Sequence, residues 1–292
     1  MKTFGPLLEK MRGTRVLVVG DLMLDEYVYG RATRISQEAP VMVIRQSSTR
    51  VVPGGAANVA ANLRALGAIT EIVGVVGDDQ PGRQLKEALS NTGARVPGIV
   101  TDSLRPTTRK TRVLADSAHQ VLRIDHEDLT PVSQRIQDEL IEAVALRMDN
   151  ADVLLISDYR KGTMTSELIA ALIDRATAKQ VPLVANAKPR GLEHYSGAAL
   201  LSLNRPETAQ ASGLTEMMAD ATDLTTLVEL SRSAAAQLGE QYGIGTVLVT
   251  LSEFGMCTRD FYIPPRRVEV FDEAGAGDTA IATVTLGLAT AG

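Results

Sequence analysis

The segment TRVLVVGDLMLDEY (14–27) opens with an unbroken, largely β-branched apolar run and stops abruptly at Gly20-Asp21. A run without polar alternation suits a strand buried on both faces, which happens when helices cover a parallel sheet. The polar stop puts the carboxyl end of that strand at an edge where open α/β sheets hold ligands. Outward from this segment the pattern recurs. EIVGVVGDD (71–79), ADVLLISDY (151–159), VPLVANAK (181–188), AALLSLNRPE (198–207) and TVLVTLSEFG (246–255) read as strands. Helical stretches lie between them at 54–68, 82–93, 131–149 and 165–179, then up to about Tyr242, and a last one covers 275–291. Such alternation predicts a parallel sheet with helices on both faces. The polar strand ends, at Gly20-Asp21, Ser157-Asp158, Asn186, Asn204 and Thr250, should then converge on one cleft.

Two stretches interrupt the alternation. Residues 27–52 and 99–126 are rich in Val, Ile, Thr and Arg, alternate in places with period two and lack helical spacing. They are expected to form antiparallel strands of a small accessory sheet, serving as a lid over the cleft, a dimer interface, or both. With no repeat or linker-like tract, residues 1–292 read as one domain carrying this appendage.

Composition narrows the function. A net charge of −5 argues against a general binder of nucleic acid or anionic membrane. Aromatic residues make up only 3% of the 292, which leaves little for base stacking and implies an aliphatic core. One cysteine, Cys257, and three scattered histidines, His119, His126 and His194, argue against a zinc site. The N-terminal MKTFGPLLEKMRGTR lacks the pattern of a signal peptide, and no apolar run reaches the roughly 18 residues of a membrane span. A cytoplasmic protein is expected.

The chemistry concentrates in short motifs. In GAGDT (275–279), Gly275 and Gly277 let successive N–H groups point at one anion, at the positive end of the last helix. An aspartate there is a poor phosphate ligand but a suitable base for a hydroxyl attacking phosphorus. The pentapeptide alone equally fits a glycine-rich turn with Asp278 as an ordinary first-turn residue. PGGAANVA (53–60) supplies tandem glycines at a helix start and Asn58, which both donates and accepts. Asp21 and Asp25, after the first strand, suit sugar hydroxyls, although each alone also fits a cap or turn. SDYRKG (157–162) brings Asp158 and Lys161 to the cleft edge.

Taken together, GDLMLDEYVYG, RISQEAPV, PGGAANVAANLRALGA, SDYRKG, the Asn-x-x-Glu of NRPE and the terminal GAGDT resemble the ribokinase-like, PfkB-type carbohydrate kinases, over about residues 14–292. GDLMLDEYVYGRATRISQEAPV and TTRKTRVLADSAHQVLRID resemble in particular that family's heptose 7-phosphate kinases of ADP-heptose synthesis. The resemblance implies a three-layer α/β/α core with a mostly parallel sheet and a small β-sheet lid. It also implies transfer from ATP, with Mg2+ and optionally a monovalent cation, to the anomeric hydroxyl of the phosphosugar. A homodimer through the lid strands is expected because an isolated small sheet has exposed edges that favour pairing.

Carried over position by position, Asp278 is the expected base, with Gly275, Ala276 and Gly277 forming the anion hole. Asp21, Asp25, Gly54, Gly55, Asn58 and Asp158 are expected at the sugar, and Lys110, Arg112 and Arg123 at its existing phosphate, since arginine suits an anion bidentately. A solvated, charged strand face is the other reading of those three cations. Lys188, Asn204, Arg205, Pro206, Glu207, Thr250, Glu253 and Gly255 are expected at the nucleotide, with Asn204 and Glu207 reaching Mg2+ through water. Three departures stand out. Asn186 occupies a position where that branch reads a carboxylate, Glu273-Ala274 replaces a small or apolar residue followed by Thr, and the family usually continues beyond Gly292. Alternatives are a family member acting on another sugar or nucleoside, or a homologue that binds its ligands and has weakened catalysis.

Overall fold

The computed structural model describes residues 5–116, 119–221, 223–266 and 275–290. The first half forms α1 (Gly5–Met11), β1 (Arg15–Gly20), β2 (Leu22–Ile35), β3 (Met42–Gly55), α2 (Ala56–Ala65), β4 (Ile69–Gly77), α3 (Gln80–Asn91), β5 (Arg95–Asp102), β6 (Thr108–Ala115) and β7 (His119–His126). The alternation then becomes regular, with α4 (Gln134–Met148), β8 (Val153–Ser157), α5 (Ser166–Ala178), β9 (Leu183–Asn186) and β10 (Leu200–Asn204). Next come α6 (Arg205–Ser212), α7 (Thr215–Ala219), α8 (Leu224–Tyr242), β11 (Thr246–Thr250), β12 (Met256–Cys257), β13 (Tyr262–Ile263) and α9 (Ala276–Thr290).

The larger sheet has the order β13-β12-β11-β10-β9-β8-β1-β4-β5. It is parallel from β11 through β5, with an antiparallel hairpin, β12–β13, on one edge. Alternate residues of β1 serve opposite layers. Leu17 and Val19 pack with Ile136 and Leu140 of α4, Leu168 and Leu172 of α5, and Leu238 of α8. Val16 and Val18 pack with Leu63 of α2, Leu85 and Leu89 of α3, and Ile281 and Leu286 of α9. This is the three-layer arrangement expected from the apolar runs. Registers set Gly20 opposite Ser157, Ser157 opposite Asn186, and Asn204 opposite Thr250, so the polar strand ends do share one edge of the sheet.

The second sheet has the order β3-β2-β6-β7 and stands off that edge. Three features differ from the sequence expectation. Its strands reach beyond 27–52, because β2 starts at Leu22 and β3 runs on to Gly55. Residues 99–102 belong instead to the large sheet, in β5. As the edge strand of that sheet, β5 mixes exposed and buried positions, which makes it look like a lid strand in sequence. Finally, β2 and β6 pair in parallel. Each follows a neighbouring region of the large sheet's carboxyl edge, after β1 and β5 respectively, so both leave the core in the same direction. The pairs β2–β3 and β6–β7 are antiparallel as expected.

Candidate active site

α9 begins where Gly275 takes φ +83°, a left-handed conformation that favours glycine. A Cβ at Gly275 would lie 2.7 Å from Asn58 Nδ2, so the glycine also lets α2 approach the start of α9. The first N–H groups of α9 have no acceptor within the helix and point, with the helix dipole, toward incoming negative charge. Asp278 sits in that first turn, only 7% exposed. Asn58 Nδ2 donates to its Oδ2 at 2.7 Å, and the Tyr159 hydroxyl donates to its Oδ1. Burial pushes the Asp278 carboxyl above its usual range, assisted by Asp25; the hydrogen bonds from Tyr159 and Asn58 and the charge of Lys188 oppose that rise. The carboxylate is thus oriented, and more basic than one in water.

The strand-end aspartates divide in a way their motif does not announce. Asp21 is 1% exposed, and its carboxylate accepts the backbone N–H of Tyr159 at 2.8 Å, Lys161 at 3.0 Å and Thr163 at 3.2 Å. With its lone pairs so engaged it shapes the 158–163 loop, a role beside the one expected of it at the sugar. Asp158, also expected at the sugar, is buried too. It accepts the Arg160 N–H at 2.7 Å and the Tyr195 hydroxyl at 2.9 Å. Burial first, and Asp21 second, push its carboxyl upward.

Asp25 faces the cleft. Arg112 Nη1 donates to it at 2.9 Å, and a Cβ on Gly54 would come within 2.8 Å of its carboxyl carbon. Gly55, at φ +57°, lets the chain cross Asp21, whose carbonyl oxygen a Cβ would meet at 2.6 Å. The glycine pair therefore serves close packing of its own aspartates and the entry into α2.

On the lid, the register sets Asp25 opposite Lys110, Lys110 opposite Asp125, and Arg112 opposite Arg123. These side chains share one face of the sheet. Lys110 Nζ lies 3.3 Å from Asp125 and 4.0 Å from Glu127, and Arg123 pairs with Asp125 at 2.9 Å. Lys161, from the core loop, reaches Glu127 at 2.7 Å. The Arg112 guanidinium lies 5.3 Å from the Tyr27 ring centroid. The three predicted cations are brought together here, and Lys161 joins them.

On the other side of the cleft, Asn204 and Glu207 form a reciprocal capping box on α6. Asn204 Oδ1 accepts the Glu207 N–H at 2.8 Å, and Glu207 Oε2 accepts the Asn204 N–H at 2.9 Å. The remaining carboxylate oxygen of Glu207 takes Lys188 Nζ at 2.5 Å. Pro206 occupies the first turn, where a missing N–H costs nothing. Arg205, expected at the nucleotide, donates to the Met218 carbonyl and so ties α6 to α7. Thr250 ends β11, and Glu253 is exposed in the turn that follows. Gly255, at φ +87°, closes that turn against the Ile263 carbonyl, 2.2 Å from where a Cβ would stand. Glu273 and Ala274 lie outside the described residues.

Sequence reasoning missed Tyr159. Its hydroxyl meets the expected base and its ring lies 5.2 Å beneath Lys188 Nζ. A signal was present, because with six tyrosines, four phenylalanines and no tryptophan, an aromatic side chain at a polar strand end is unusual in this chain.

The chain is 42% identical over 284 residues to the bifunctional protein HldE of Gluconobacter oxydans, covering 95% of this chain and 57% of that protein. It is 39% identical over 294 residues to the bifunctional protein HldE of Pelobacter propionicus, covering 99% and 58%. It thus spans little more than half the length of these curated relatives. Among solved structures, the tetrameric inhibited form of phosphofructokinase-2 from Escherichia coli superposes with a TM-score of 0.76 at 20% identity, over 95% of this chain and 88% of that one. Arabidopsis thaliana ribokinase, solved with ribose and ATP, gives 0.69 at 21% identity over 95% and 86%. These likenesses establish the ribokinase-like fold. Residues 13–292 match the pfkB family of carbohydrate kinases, and the chain belongs to that family of phosphotransferases with an alcohol group as acceptor.

Proposed function

We propose that this chain transfers the terminal phosphoryl group of ATP to the anomeric hydroxyl of D-glycero-D-manno-heptose 7-phosphate, giving the 1,7-bisphosphate, a precursor of ADP-heptose and the lipopolysaccharide core. The observation that carries the chemistry is Asp278, buried, held by two donors and placed in the first turn of α9. Asp278 takes the proton of the acceptor hydroxyl as that oxygen attacks phosphorus. The N–H groups of Gly275, Ala276 and Gly277 at the head of α9 receive the charge gathering on the transferred phosphoryl oxygens. The lid closes over the cleft and excludes water that would compete as acceptor.

The choice of a phosphorylated sugar rests on likeness to the HldE proteins and on the cations of the lid face. Lys110, Arg112 and Arg123 are partnered by Asp125 and Asp25, and a phosphate, with more negative charge than one carboxylate, competes for them on favourable terms.

For the metal, no group of three or more His, Cys, Asp or Glu side chains among the described residues is disposed to hold an ion. Glu207 has its oxygens engaged by Asn204 and Lys188, and Asn186 offers a neutral amide. Such residues fit a Mg2+ carried mainly by the nucleotide phosphates, with Asn204 and Glu207 touching its waters. Bound there, Mg2+ would neutralise phosphate charge. Lys188 lies beside Glu207, within reach of the same phosphates.

A homodimer through the lid is also proposed. β3 and β7 are the lid's edge strands, and Ile35, Met42, Leu122 and Ile124 on or beside those edges are exposed apolar residues. Among the described residues, no helix is long and apolar enough to cross a membrane, in keeping with action in the cytoplasm.

The test is a kinase assay with ATP and Mg2+ across heptose 7-phosphate, free heptose, ribose and fructose 6-phosphate. Preferential turnover of heptose 7-phosphate is expected. Equal or better turnover of an unphosphorylated sugar would reject the substrate, and ATP binding without transfer to any of them would reject catalysis. Light scattering of the same protein should give the mass of two chains; a monomer throughout would reject the dimer.

A further inference from the structure

Four backbone hydrogen bonds between strand-end carboxylates and one short loop invite a question about what that loop carries. Asp21 accepts the N–H groups of Tyr159, Lys161 and Thr163, and Asp158 accepts that of Arg160. Both carboxylates are nearly inaccessible, and burying two acids side by side is unfavourable unless donors satisfy them. Within the loop, Arg160 takes φ +55°, uncommon for a residue with a Cβ, and Gly162 takes φ +85°, which glycine adopts freely. The result is to fix one phenol. The Tyr159 hydroxyl donates to Asp278 Oδ1, while Asn58 donates to Oδ2 from the opposite side.

We propose that Tyr159 is the positioning residue of the base, holding the Asp278 carboxylate through Oδ1 so that its remaining lone pairs face the acceptor hydroxyl. This rests on the reading of Asp278 as the base. A carboxylate on a short side chain rotates about χ1 and χ2 unless both oxygens are held. Asn58 alone secures only one, from a side chain whose own oxygen accepts from Asn62 at 3.4 Å. Tyr159 secures the other from a loop built by separate strands. The phenol is suited to donate and not to ionise, since burial, and next Asp278, push its titration far above the ordinary tyrosine range. The same ring lies under Lys188, so the base and the cation beside Glu207 are set from one side chain.

The role has a signature that packing alone would not produce. A donor to an ionised carboxylate stabilises the charged form, so its removal raises the acid's pKa. The largest effects of other charges on Asp278 come from Asp25 of β2 and Lys188 after β9, and both residues are unchanged in Tyr159→Phe. In that variant kcat at neutral pH should fall about tenfold through lost alignment. The acid limb of its pH–rate profile should move up by about one pH unit. The KM for ATP should hold within about twofold, because the change is directed at the base. Site-specific 3,5-difluorotyrosine at 159 keeps the ring and strengthens the donor, so it should move the limb to lower pH without a folding penalty. A Tyr159→Phe enzyme with wild-type kcat and an unmoved limb overturns the proposal. So does a loss equal at every pH, or, should Tyr159→Phe not fold, an unmoved limb in the fluorinated protein. The outcome for Asp278 itself is separate. If Asp278→Asn retains turnover, the base assignment fails; if it is inactive while Tyr159→Phe is normal, only the positioning role fails.

Discussion

The two sides of the cleft are built from the same residue types in opposite ways. On the floor, Asp21, Asp158 and Asp278 are buried and meet backbone N–H groups, phenols and an amide. On the lid, Asp125 and Glu127 meet Lys110, Arg123 and Lys161 in pairs that are partly open to water. Hydrogen bonds from fixed, neutral donors define direction, which a base requires. Partly solvated ion pairs contribute little to stability and exchange readily, as a surface that must release its own anion to take up a substrate's requires. On the proposed function, orientation of the base and selectivity for a phosphorylated acceptor would be kept on different sheets.

The largest effect is expected at Asp278. Asp278→Asn should lower turnover by about a thousandfold or more while ATP affinity, by calorimetry, changes by less than about twofold. Loss of ATP binding would instead make Asp278 part of the nucleotide site.

Next comes stability. Asp21→Ala leaves several N–H groups of the 158–163 loop without their acceptor and should cost about 3 kcal/mol in urea unfolding. Lys110→Ala on the lid leaves Asp125 with Arg123 and Glu127 with Lys161, and should cost about 1 kcal/mol, well below Asp21→Ala. Its effect should be on selectivity, raising the KM for a phosphorylated acceptor about tenfold at low salt and less as salt rises, with kcat nearly unchanged. Similar unfolding energies for the two variants would mean that floor and lid carboxylates are held alike.

The smallest effect is in pH, and its sign differs between the two regions. Asp158 and Asp278 have folded-state pKa values raised by burial, so the folded protein holds their protons more tightly than the unfolded chain does. Their contribution therefore favours folding at low pH and is lost as pH rises through the window from the ordinary carboxylate value to the raised one. Asp125 is the reverse. Although burial pulls it up, hydrogen bonds and charge from Arg123 and Lys110 hold it below the ordinary range. Its contribution is present above the unfolded value and is lost as pH falls through the lowered one. Hydrogen exchange corrected for intrinsic rates should show β6 and β7 losing protection on acidification before β1 and β8 do. Uniform loss across both sheets would count against separate electrostatic designs.

Much of this was legible from residues alone, for identifiable reasons. The runs at 15–20, 153–157 and 246–250 are apolar on both faces, and only a covered parallel strand satisfies that composition. The Asn-x-x-Glu of α6 closes on itself within one turn, so its geometry is local. Likewise, Gly275 announces a left-handed turn before the last helix. Against these, residues 99–102 of β5 read as lid because an edge strand and a lid strand share the same half-exposed alternation.

Local residue pattern therefore fixes the periodicity of each segment, the polar strand ends and the presence of an aspartate at the head of the last helix. Each of these depends on neighbours a few residues away. Tertiary structure alone decided that Asp21 faces a loop 138 to 142 residues distant, that Tyr159 meets an aspartate 119 residues further on, and that β2 and β6 run side by side. Those contacts depend on the order of strands in two sheets, and no spacing along the chain records which strand ends become neighbours.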